Sequence, residues 1–332
     1  MTEQDEVIVP GHDPDTDPET PRQDRFRILV CIDGSDESYR AVRYAAKMAS
    51  GHDDVDIVLC YVRPIDHGLR TGGLQMDVAR GNMIQWGIEL PGIKYLKKGR
   101  DLLRDLGVLD KDWDQAAYHT DIEGASLGDN KIVYTAKSGK QVVLKLKVAS
   151  DIAIGILDQW ELGQYDLIMI GASSRWTKKG ISGFFDPAVA EKIAIHAPCS
   201  VLIARELDIG HGHLICTDGS EASTLAVEKD AWIASHCQCP ITLMSVALDV
   251  ESEGEALQNV SDAQQMLRDL GVTVDNTITK VGNPVEEIIE EGANYSLIAL
   301  ADSGKSGLER FFMGSVALKV MQNAHNSVII VR

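Results

Sequence analysis

The sequence has little positive charge, few aromatic residues and no long hydrophobic run. Its 32 lysine and arginine residues are outnumbered by 50 aspartate and glutamate residues, giving a formal net charge of −18. A chain without a basic field is poorly suited to phosphate backbones or anionic lipids, so nucleic acid and membrane partners are not expected. No apolar run approaches the roughly 18 to 20 residues of a membrane span, and the acidic N-terminus differs from a signal peptide. We therefore expect a cytoplasmic protein.

Cysteine is also scarce. Four of the six cysteines lie in or beside apolar segments, where a thiol behaves as a small hydrophobe; these are Cys31, Cys60, Cys199 and Cys216. Only Cys237 and Cys239 form a close pair, and His236 is the one neighbouring candidate for a third ligand. A metal or redox site would need further ligands at suitable spacing. We interpret the pair as packing at a helix end, with a metal or redox site as the alternative.

An internal repeat organises the chain. Asp33-Gly-Ser-Asp-Glu-Ser38 follows an apolar run and returns as Asp218-Gly-Ser-Glu-Ala-Ser223, and the segments 193–205 and 320–332 also align. With 332 residues, 44% of them hydrophobic, the chain is long enough for two domains. We expect domains at 26–207 and 208–332, after an acidic, disordered tail at 1–25.

The second copy alternates strands with helices. The predicted strands are 213–217, 240–246, 272–279, 296–300 and 327–331, and the predicted helices are 221–235, 255–270, 284–292 and 315–323. This alternation implies right-handed crossovers and a parallel sheet covered on both faces, hence an α/β, doubly wound fold. Such sheets bind ligands at the carboxyl ends of the strands, where the strand order reverses.

The first copy is longer, and we expect insertions at about 68–91, a glycine-rich loop, and at about 120–148. Within the latter, residues 131–147 alternate apolar and polar side chains around Ser138-Gly139, which predicts a β-hairpin. We interpret the hairpin as an arm added to the domain. It serves either as a surface decoration or as a lid or dimerisation arm.

The stretch Ala301–Val316 predicts a phosphate loop. Small residues follow an apolar strand, and Gly314-Ser315 opens a helix whose N–H groups and dipole suit a phosphate. The Asp-Gly-Ser-x-x-Ser turn, this loop and the closing Ala-His-x-Ser-Val-Ile-Ile-Val-Arg together resemble the universal stress protein family. The resemblance covers nearly all of the second copy and both ends of the first, so the whole chain resembles a tandem member.

The resemblance implies a five-stranded parallel sheet of order 3-2-1-4-5 in each domain. It also implies pairing through the last strand, which gives an intrachain pseudo-dimer, with a homodimer of chains as a further expectation. The expected ligand is ATP or another adenine nucleotide, with or without Mg²⁺. The residues that the resemblance places around this ligand are Thr217, Asp218, Val246, Leu300, Ala301, Ser303, Gly304, Gly314, Ser315 and Val316. Ala301 stands where the family pattern has glycine.

The first copy departs further from the pattern. Asp33 and Gly171 match the family, but Asp186-Pro187 stands where Gly-Ser is required. Proline lacks an N–H group, and Asp186 brings negative charge to the phosphate position. We therefore expect one working site per chain, in the second copy.

Three functions stay open. The first is a stress-response protein that binds a nucleotide as a regulatory ligand, the second a weak ATP hydrolase or pyrophosphatase of the adenine-nucleotide α-hydrolase type, and the third a scaffold without nucleotide. The hydrolase needs a catalytic constellation that we do not find in the sequence, so we name no catalytic or metal residues and favour binding over turnover. The protein partner is not identified.

Overall fold

The computed structural model describes residues 25–64, 91–122, 125–172, 187–205, 211–302 and 313–332. The expected tail and nearly all of the expected 68–91 loop lie outside these residues. The chain divides into two compact units, one comprising Met1–Met169 with Gly183–Phe185 and the other Ile170–Ser182 with Asp186–Arg332. Within the described ranges, no helix is both long and apolar enough to cross a membrane.

The first unit is a mixed sheet with helices. Its elements are β1 (Phe26–Cys31), α1 (Asp36–Ala49), β2 (Val55–Pro64), α2 (Pro91–Asp105), β3 (Asp114–Ile122), β4 (Ala125–Thr135), β5 (Gln141–Ala149), α3 (Ile152–Gly163) and β6 (Leu167–Gly171). The strands lie in the order β6-β1-β2-β5-β4-β3. The β1–β2 and β2–β5 pairs are parallel, whereas β4 is antiparallel to both β5 and β3.

The second unit contains α4 (Pro187–His196), β7 (Ser200–Ala204), β8 (His213–Cys216), α5 (Glu221–His236), β9 (Ile241–Ala247), α6 (Glu253–Asp269), β10 (Asn276–Val281), α7 (Pro284–Gly292), β11 (Leu297–Ala301), α8 (Ser315–Asn323) and β12 (Ser327–Val331). Its strands lie in the order β10-β9-β8-β11-β12-β7. All neighbours are parallel except β7, which is antiparallel to β12. The expected α/β fold with a largely parallel sheet is confirmed.

Local chemistry explains where the helices begin. Ser35 caps α1 by accepting a hydrogen bond from the Ser38 N–H, and Ser220 caps α5 in the same way. Asn283 caps α7, which has a proline in its first turn. Each cap satisfies one of the N–H groups that a helix leaves unpaired at its start.

One strand of the second unit starts later than its apolar pattern predicts. The prediction was 272–279, but β10 begins at Asn276. Pairing with β9 starts at Asp275, whose N–H donates to the Ile241 carbonyl and whose carboxylate accepts from the Ile241 N–H. The residues before Asp275 therefore connect α6 to the sheet without belonging to it.

The predicted hairpin is present, but its second strand has a different role from the expected arm. β4 and β5 pair across a turn closed by the Ala136 and Lys140 backbone, where Gly139 has a φ of 86°. However, β5 lies beside β2 in parallel register, from Ile57↔Val142 to Pro64↔Ala149. In the second unit, β10 takes this position beside β9. Strand β5 is therefore part of the parallel sheet, and β3 with β4 forms the addition.

The alternation in residues 131–147 could not distinguish these cases, because an arm and an outer sheet strand share the same two-residue period. The burial of β5 does distinguish them, since five consecutive residues, 142–146, are buried. A strand covered on both faces belongs to the interior of an α/β sheet. Strand β3 was not predicted at all.

Two arginines tie the aligned segments together around β7 and β12. The strands pair with Val328 opposite Ile203 and Ile330 opposite Val201. The Arg205 guanidinium donates to the carbonyls of Met321, Ala324 and Asn326, while its N–H donates to Ser327 Oγ.

The second arginine, at the end of segment 320–332, makes the corresponding contacts with segment 193–205. Arg332 donates to the carbonyls of Ala194 and Cys199, and its N–H donates to Ser200 Oγ. We call Arg205 and Arg332 the arginine clamp. Each member holds the helix end and the strand start of the other segment.

The clamp predicts a stability effect. Arg205→Met removes donors to three carbonyls in a buried setting, and unsatisfied buried acceptors cost about 1–3 kcal/mol each. We expect the urea midpoint of unfolding to fall by an amount equivalent to about 3–5 kcal/mol. The matched control is Arg268→Met on the exposed face of α6, for which a change below about 0.5 kcal/mol is expected. Equal midpoints for the two variants would contradict the role of the clamp.

Candidate functional site

The turn after β8 is built by side chains that hydrogen-bond to the backbone. The Asp218 Oδ1 atom accepts from the Ser220 N–H at 3.0 Å and from Ser220 Oγ at 2.5 Å. Ser220 Oγ in turn accepts from the Ser223 N–H at 3.2 Å and so caps α5. Gly219 occupies the left-handed region with a φ of 75°. The Asp-Gly-Ser motif therefore forms an Asx turn, which stabilises the backbone and needs no ligand.

Two buried hydroxyl groups fix this turn from beneath. Thr217 Oγ1 lies 3.0 Å from Ser223 Oγ, and the Gly219 N–H donates to Thr217 Oγ1 at 3.2 Å. The Thr217 N–H donates to the Met244 carbonyl at 2.8 Å, which extends the β8–β9 pairing. The motif is thereby held rigidly at the carboxyl end of β8.

Asp218 itself remains exposed and charged. Partial burial raises the pKa of Asp218, but hydrogen bonds from Ser220 and Ser223 outweigh this and hold it below the ordinary value. Because the side chain is exposed, its carboxylate keeps acceptor capacity toward solvent. It can therefore accept hydrogen bonds from hydroxyl groups of a ligand.

The other predicted residues of the second copy end the neighbouring strands. Strand β8 lies between β9 and β11, with Cys216 opposite Met244 and Ala299 opposite Ile215. The parallel register brings Val246, Leu300 and Ala301 to the edge that carries Asp218. Leu300 is buried, whereas Val246 and Ala301 are half-buried. The order of connection reverses between β8 and β11, which is where doubly wound sheets bind ligands.

Helix α8 begins without a side-chain cap from any described residue. Its N-cap is Gly314, and the Leu318 N–H donates to the Gly314 carbonyl at 3.0 Å. By helix geometry, the N–H groups of Ser315, Val316 and Ala317 have no partner within the helix. Ser315 is exposed and Val316 half-buried. These groups suit an anion, in contrast to the side-chain-capped starts of α1, α5 and α7.

The expected loop contacts of Ser303 and Gly304 lie outside the described residues. The residue just before them, Asp302, was missed by sequence reasoning. Its N–H donates to the Val331 carbonyl, and its Oδ2 accepts from Arg332 Nε at 2.7 Å. Its buried Oδ1 has no hydrogen-bond partner among the described residues. The Arg332 cation thus offsets an acidic charge beside the predicted phosphate loop.

The first copy has the same turn, but an aromatic ring packs over it. Asp33 Oδ1 accepts from the Ser35 N–H at 2.9 Å, and Gly34 has a φ of 89°. The Tyr95 ring packs on Gly34 so closely that a Cβ there would lie 2.5 Å from it. Asp33 is 9% exposed and therefore buried, unlike Asp218. This strand end is closed by an aromatic ring in the first unit.

Tyr39 belongs to the same cover. Its hydroxyl donates to the Tyr95 carbonyl at 3.2 Å, and Lys98 Nζ lies 4.0 Å from the centre of its ring. Burial, assisted by Tyr95 and Asp33, raises the pKa of Tyr39 to about 12. Gly171, the other expected residue, ends β6 and is buried. Asp186 lies outside the described residues, and Pro187 is the first residue of α4.

A second internal repeat, which the sequence analysis missed, aligns helix α2 of the first copy with helix α6 of the second. Arg-Asp-Leu-Gly-Val occurs at 104–108 and at 268–272, and helices α2 and α6 are each followed by a glycine with positive φ, Gly107 and Gly271. This alignment pairs Tyr95 with Asn259, whose amide faces Gly219. The second copy therefore has a small polar side chain where the first has an aromatic ring.

Comparison with known proteins agrees with this architecture. The model of the universal stress protein family matches residues 25–85, 103–205 and 213–332. A universal stress protein of Methanocaldococcus jannaschii is 29% identical over 137 residues, which cover 36% of this chain and 80% of that protein. Universal stress protein YxiE of Bacillus subtilis is 26% identical over 144 residues, covering 36% of this chain and 97% of that protein.

Among solved structures, a universal stress protein from Archaeoglobus fulgidus has a TM-score of 0.59 at 14% identity. The alignment covers 92% of this chain and 98% of that one. At such low identity the likeness concerns the fold alone. The family match, in contrast, extends over most of the sequence, including the turn at Asp218 and the start of α8. The chain belongs to the universal stress protein family.

Proposed function

We propose that this protein binds ATP or a related adenine nucleotide in its second copy, as a regulatory ligand in a stress response. The observation that carries the proposal is the start of α8, where backbone N–H groups lack a side-chain cap among the described residues. Phosphate oxygens satisfy such groups, and the helix dipole favours their negative charge. Ser303 and Gly304 complete the proposed phosphate loop, and the nucleotide binds with or without Mg²⁺.

The remaining roles follow from the strand ends. The exposed carboxylate of Asp218 accepts hydrogen bonds from the ribose hydroxyls, and half-buried Val246 packs against the base. Thr217, Leu300 and Ala301 form the floor beneath the ligand, with Gly314, Ser315 and Val316 at the phosphates. In the proposed roles, the hydroxyls, the Asp218 carboxylate and the N–H groups all bind the ligand, and none is assigned to proton transfer, so we favour a ligand over a substrate.

The proposal assigns one working site to each chain. In the first copy, the Tyr95 ring occupies the space above Gly34, and Asp33 is buried. Proline at position 187 also removes an N–H group from the first turn of α4. A nucleotide would have to displace the Tyr95 ring, and its phosphates would find fewer N–H donors at the start of α4.

The wider organisation is part of the same proposal. The chain forms two tandem universal stress protein domains, 26–207 and 208–332, each built around five parallel strands of order 3-2-1-4-5. The antiparallel β7–β12 pair supports an intrachain pseudo-dimer that leaves a homodimer of chains open to test by size-exclusion chromatography. We place the protein in the cytoplasm.

The proposed phosphate site at the start of α8 is tested by replacing Gly314-Ser315 with the Asp-Pro pair that the first copy has at the same place. Gly314→Asp/Ser315→Pro keeps a good N-cap and a proline at the first helical position, so α8 can still form. We expect at least a tenfold loss of ATP affinity in isothermal titration calorimetry, because one N–H group is lost and a negative charge is gained.

The matched control is Asn283→Asp, which puts the same charge at the N-cap of α7 and should leave ATP affinity unchanged. Equal affinity of the double variant and the unaltered chain would contradict the assignment of α8. An unaltered chain that neither copurifies with adenine nucleotide nor releases heat with ATP would instead support the scaffold alternative.

The asymmetry between the copies is tested at the two turn aspartates. In Asp218→Asn the amide oxygen can still accept from Ser220, so the Asx turn persists while the charge is lost. We expect ATP binding to weaken about tenfold, the cost of replacing a charged acceptor by a neutral one. Asp33→Asn should leave ATP affinity unchanged, and the opposite ranking would place the working site in the first copy.

The hydrolase alternative has a separate readout. Phosphate release from ATP is measured under multiple-turnover conditions for the unaltered chain and for Gly314→Asp/Ser315→Pro. We expect no sustained release above the uncatalysed background from either protein. Sustained release that the double substitution abolishes would favour the enzyme over the regulatory ligand.

A further inference from the structure

A buried cluster of metal-ligating side chains lies at the opposite edge of the second sheet from Asp218. His213 is the first residue of β8, Cys237 caps the C-terminus of α5, and Cys239 precedes β9. One ligand atom from each of the three side chains lies within 4.8 Å of the others, and all three are buried. The Cys237–Cys239 pair alone was interpreted as helix-end packing; the fold adds His213, 24 residues before Cys237.

A carboxylate orients the histidine in this cluster. His213 Nδ1 lies 2.9 Å from Asp230 Oδ2, within the buried part of α5. This contact leaves Nε2 facing Cys237 Sγ at 3.7 Å. A carboxylate on one ring nitrogen, with the other nitrogen aimed at the remaining ligands, is the usual outer-shell arrangement of a metal-binding histidine.

The first copy shows that this position does not need polar groups to fold. Counting from the shared Asp-Gly-Ser turn, His213 corresponds to Ile28 and Asp230 to Ala45, both fully buried. A buried ionisable pair is often less stabilising than well-packed apolar residues. In addition, Asp230 Oδ1 has no hydrogen-bond partner in the described part of the chain. Packing alone therefore does not account for the pair.

We propose that His213 Nε2, Cys237 Sγ and Cys239 Sγ bind one thiophilic d¹⁰ metal ion, with Asp230 as the residue that positions His213. On binding, both thiols and the protonated Nε2 of His213 lose their protons to solvent, and the metal keeps its oxidation state. Two thiolates and one imidazole favour Cu(I), because structural zinc sites are nearly always four-coordinate and the described residues supply three ligands. Zinc would need a water molecule or another group as fourth ligand.

One of the two distances between ligand atoms already fits such an ion, and the other must increase on binding. Bonds of about 2.1 Å to nitrogen and about 2.3 Å to sulfur put the nitrogen and sulfur about 3.6–3.8 Å apart, which matches the contact between His213 and Cys237. Two metal-bound sulfurs lie about 3.7–4.0 Å apart. Cys237 Sγ and Cys239 Sγ are 2.7 Å apart, so the sulfurs must separate by about 1 Å.

The test uses the full-length chain, reduced and kept anaerobic. Cu(I) is added as its coloured bicinchoninate complex, and transfer to the protein is followed by loss of colour; ZnCl₂ is titrated separately against a chromophoric chelator. We expect one Cu(I) per chain, bound more tightly than Zn²⁺. X-ray absorption of the copper-loaded chain should show about two sulfur and one nitrogen ligands, a readout that needs no variant.

Variants then assign the ligands. Cys237→Ser/Cys239→Ser should lower Cu(I) affinity at least 100-fold, and Asp230→Asn, which keeps all three ligands, should lower it about 10- to 100-fold. The matched control is Cys60→Ser in β2: this thiol is also buried but does not belong to the cluster, so its loss should leave binding unchanged. Circular dichroism is used to check that each variant is folded.

Each outcome decides the proposal. A four-coordinate Zn²⁺ site lost in the double variant would support the site and change its preferred ion. Failure of the reduced chain to hold either metal better than the double variant would overturn it. Oxidation by diamide with loss of two hydrogens in mass, without metal binding after reduction, would identify a dithiol pair instead. The cluster does not rest on the proposed nucleotide site, so either can fail alone.

Discussion

The arginine clamp is the interaction on which the arrangement of the second unit depends. Arg205 holds the C-terminal carbonyls of α8 and the start of β12, while Arg332 holds the corresponding carbonyls of α4 and Cys199. Arg332 also pairs with Asp302. Arg332 therefore holds Asp302, which precedes the proposed phosphate loop, and Arg205 holds the C-terminal end of α8, the helix that follows the loop. Burial lowers the pKa of Arg205 to about 10, so it remains charged at neutral pH and needs its carbonyl partners.

The strands and helices of the second copy were predictable from local sequence patterns, because each is a separate run of residues with its own capping or turn residues. The turn at Asp218 was predictable for the same reason, since all its hydrogen bonds join residues at most six apart. The role of β5 was not predictable, because its parallel partner β2 lies about 85 residues earlier and only long-range register reveals it. Asp302, Asn259 and the His213 cluster were missed for the same reason: their significance arises across the fold.

The two copies share the Asp-Gly-Ser turn but differ in the side chain that packs against its glycine. Turn and cap use one carboxylate oxygen, a glycine with positive φ and two serines, and all are present in both copies. The side chain that packs against the glycine differs, being the Tyr95 ring in one copy and the smaller Asn259 amide in the other. A motif match at Asp33 therefore predicts the turn correctly and says little about nucleotide. Comparing residues on the neighbouring helix is more informative than comparing the motif.

In the second unit, the Asp218 turn and the His213 cluster lie at opposite ends of strand β8. Helix α5 starts beside the Asp218 turn and ends at Cys237, and its 16 residues span about 24 Å. Ligands at its two ends cannot touch each other, and coupling between them would require α5 to have two positions. The buried His213–Asp230 pair opposes such movement, because sliding α5 along β8 would break a hydrogen bond in a setting without water. The pair therefore fixes α5, and with it the Asp218 turn, whether or not a metal ion is bound.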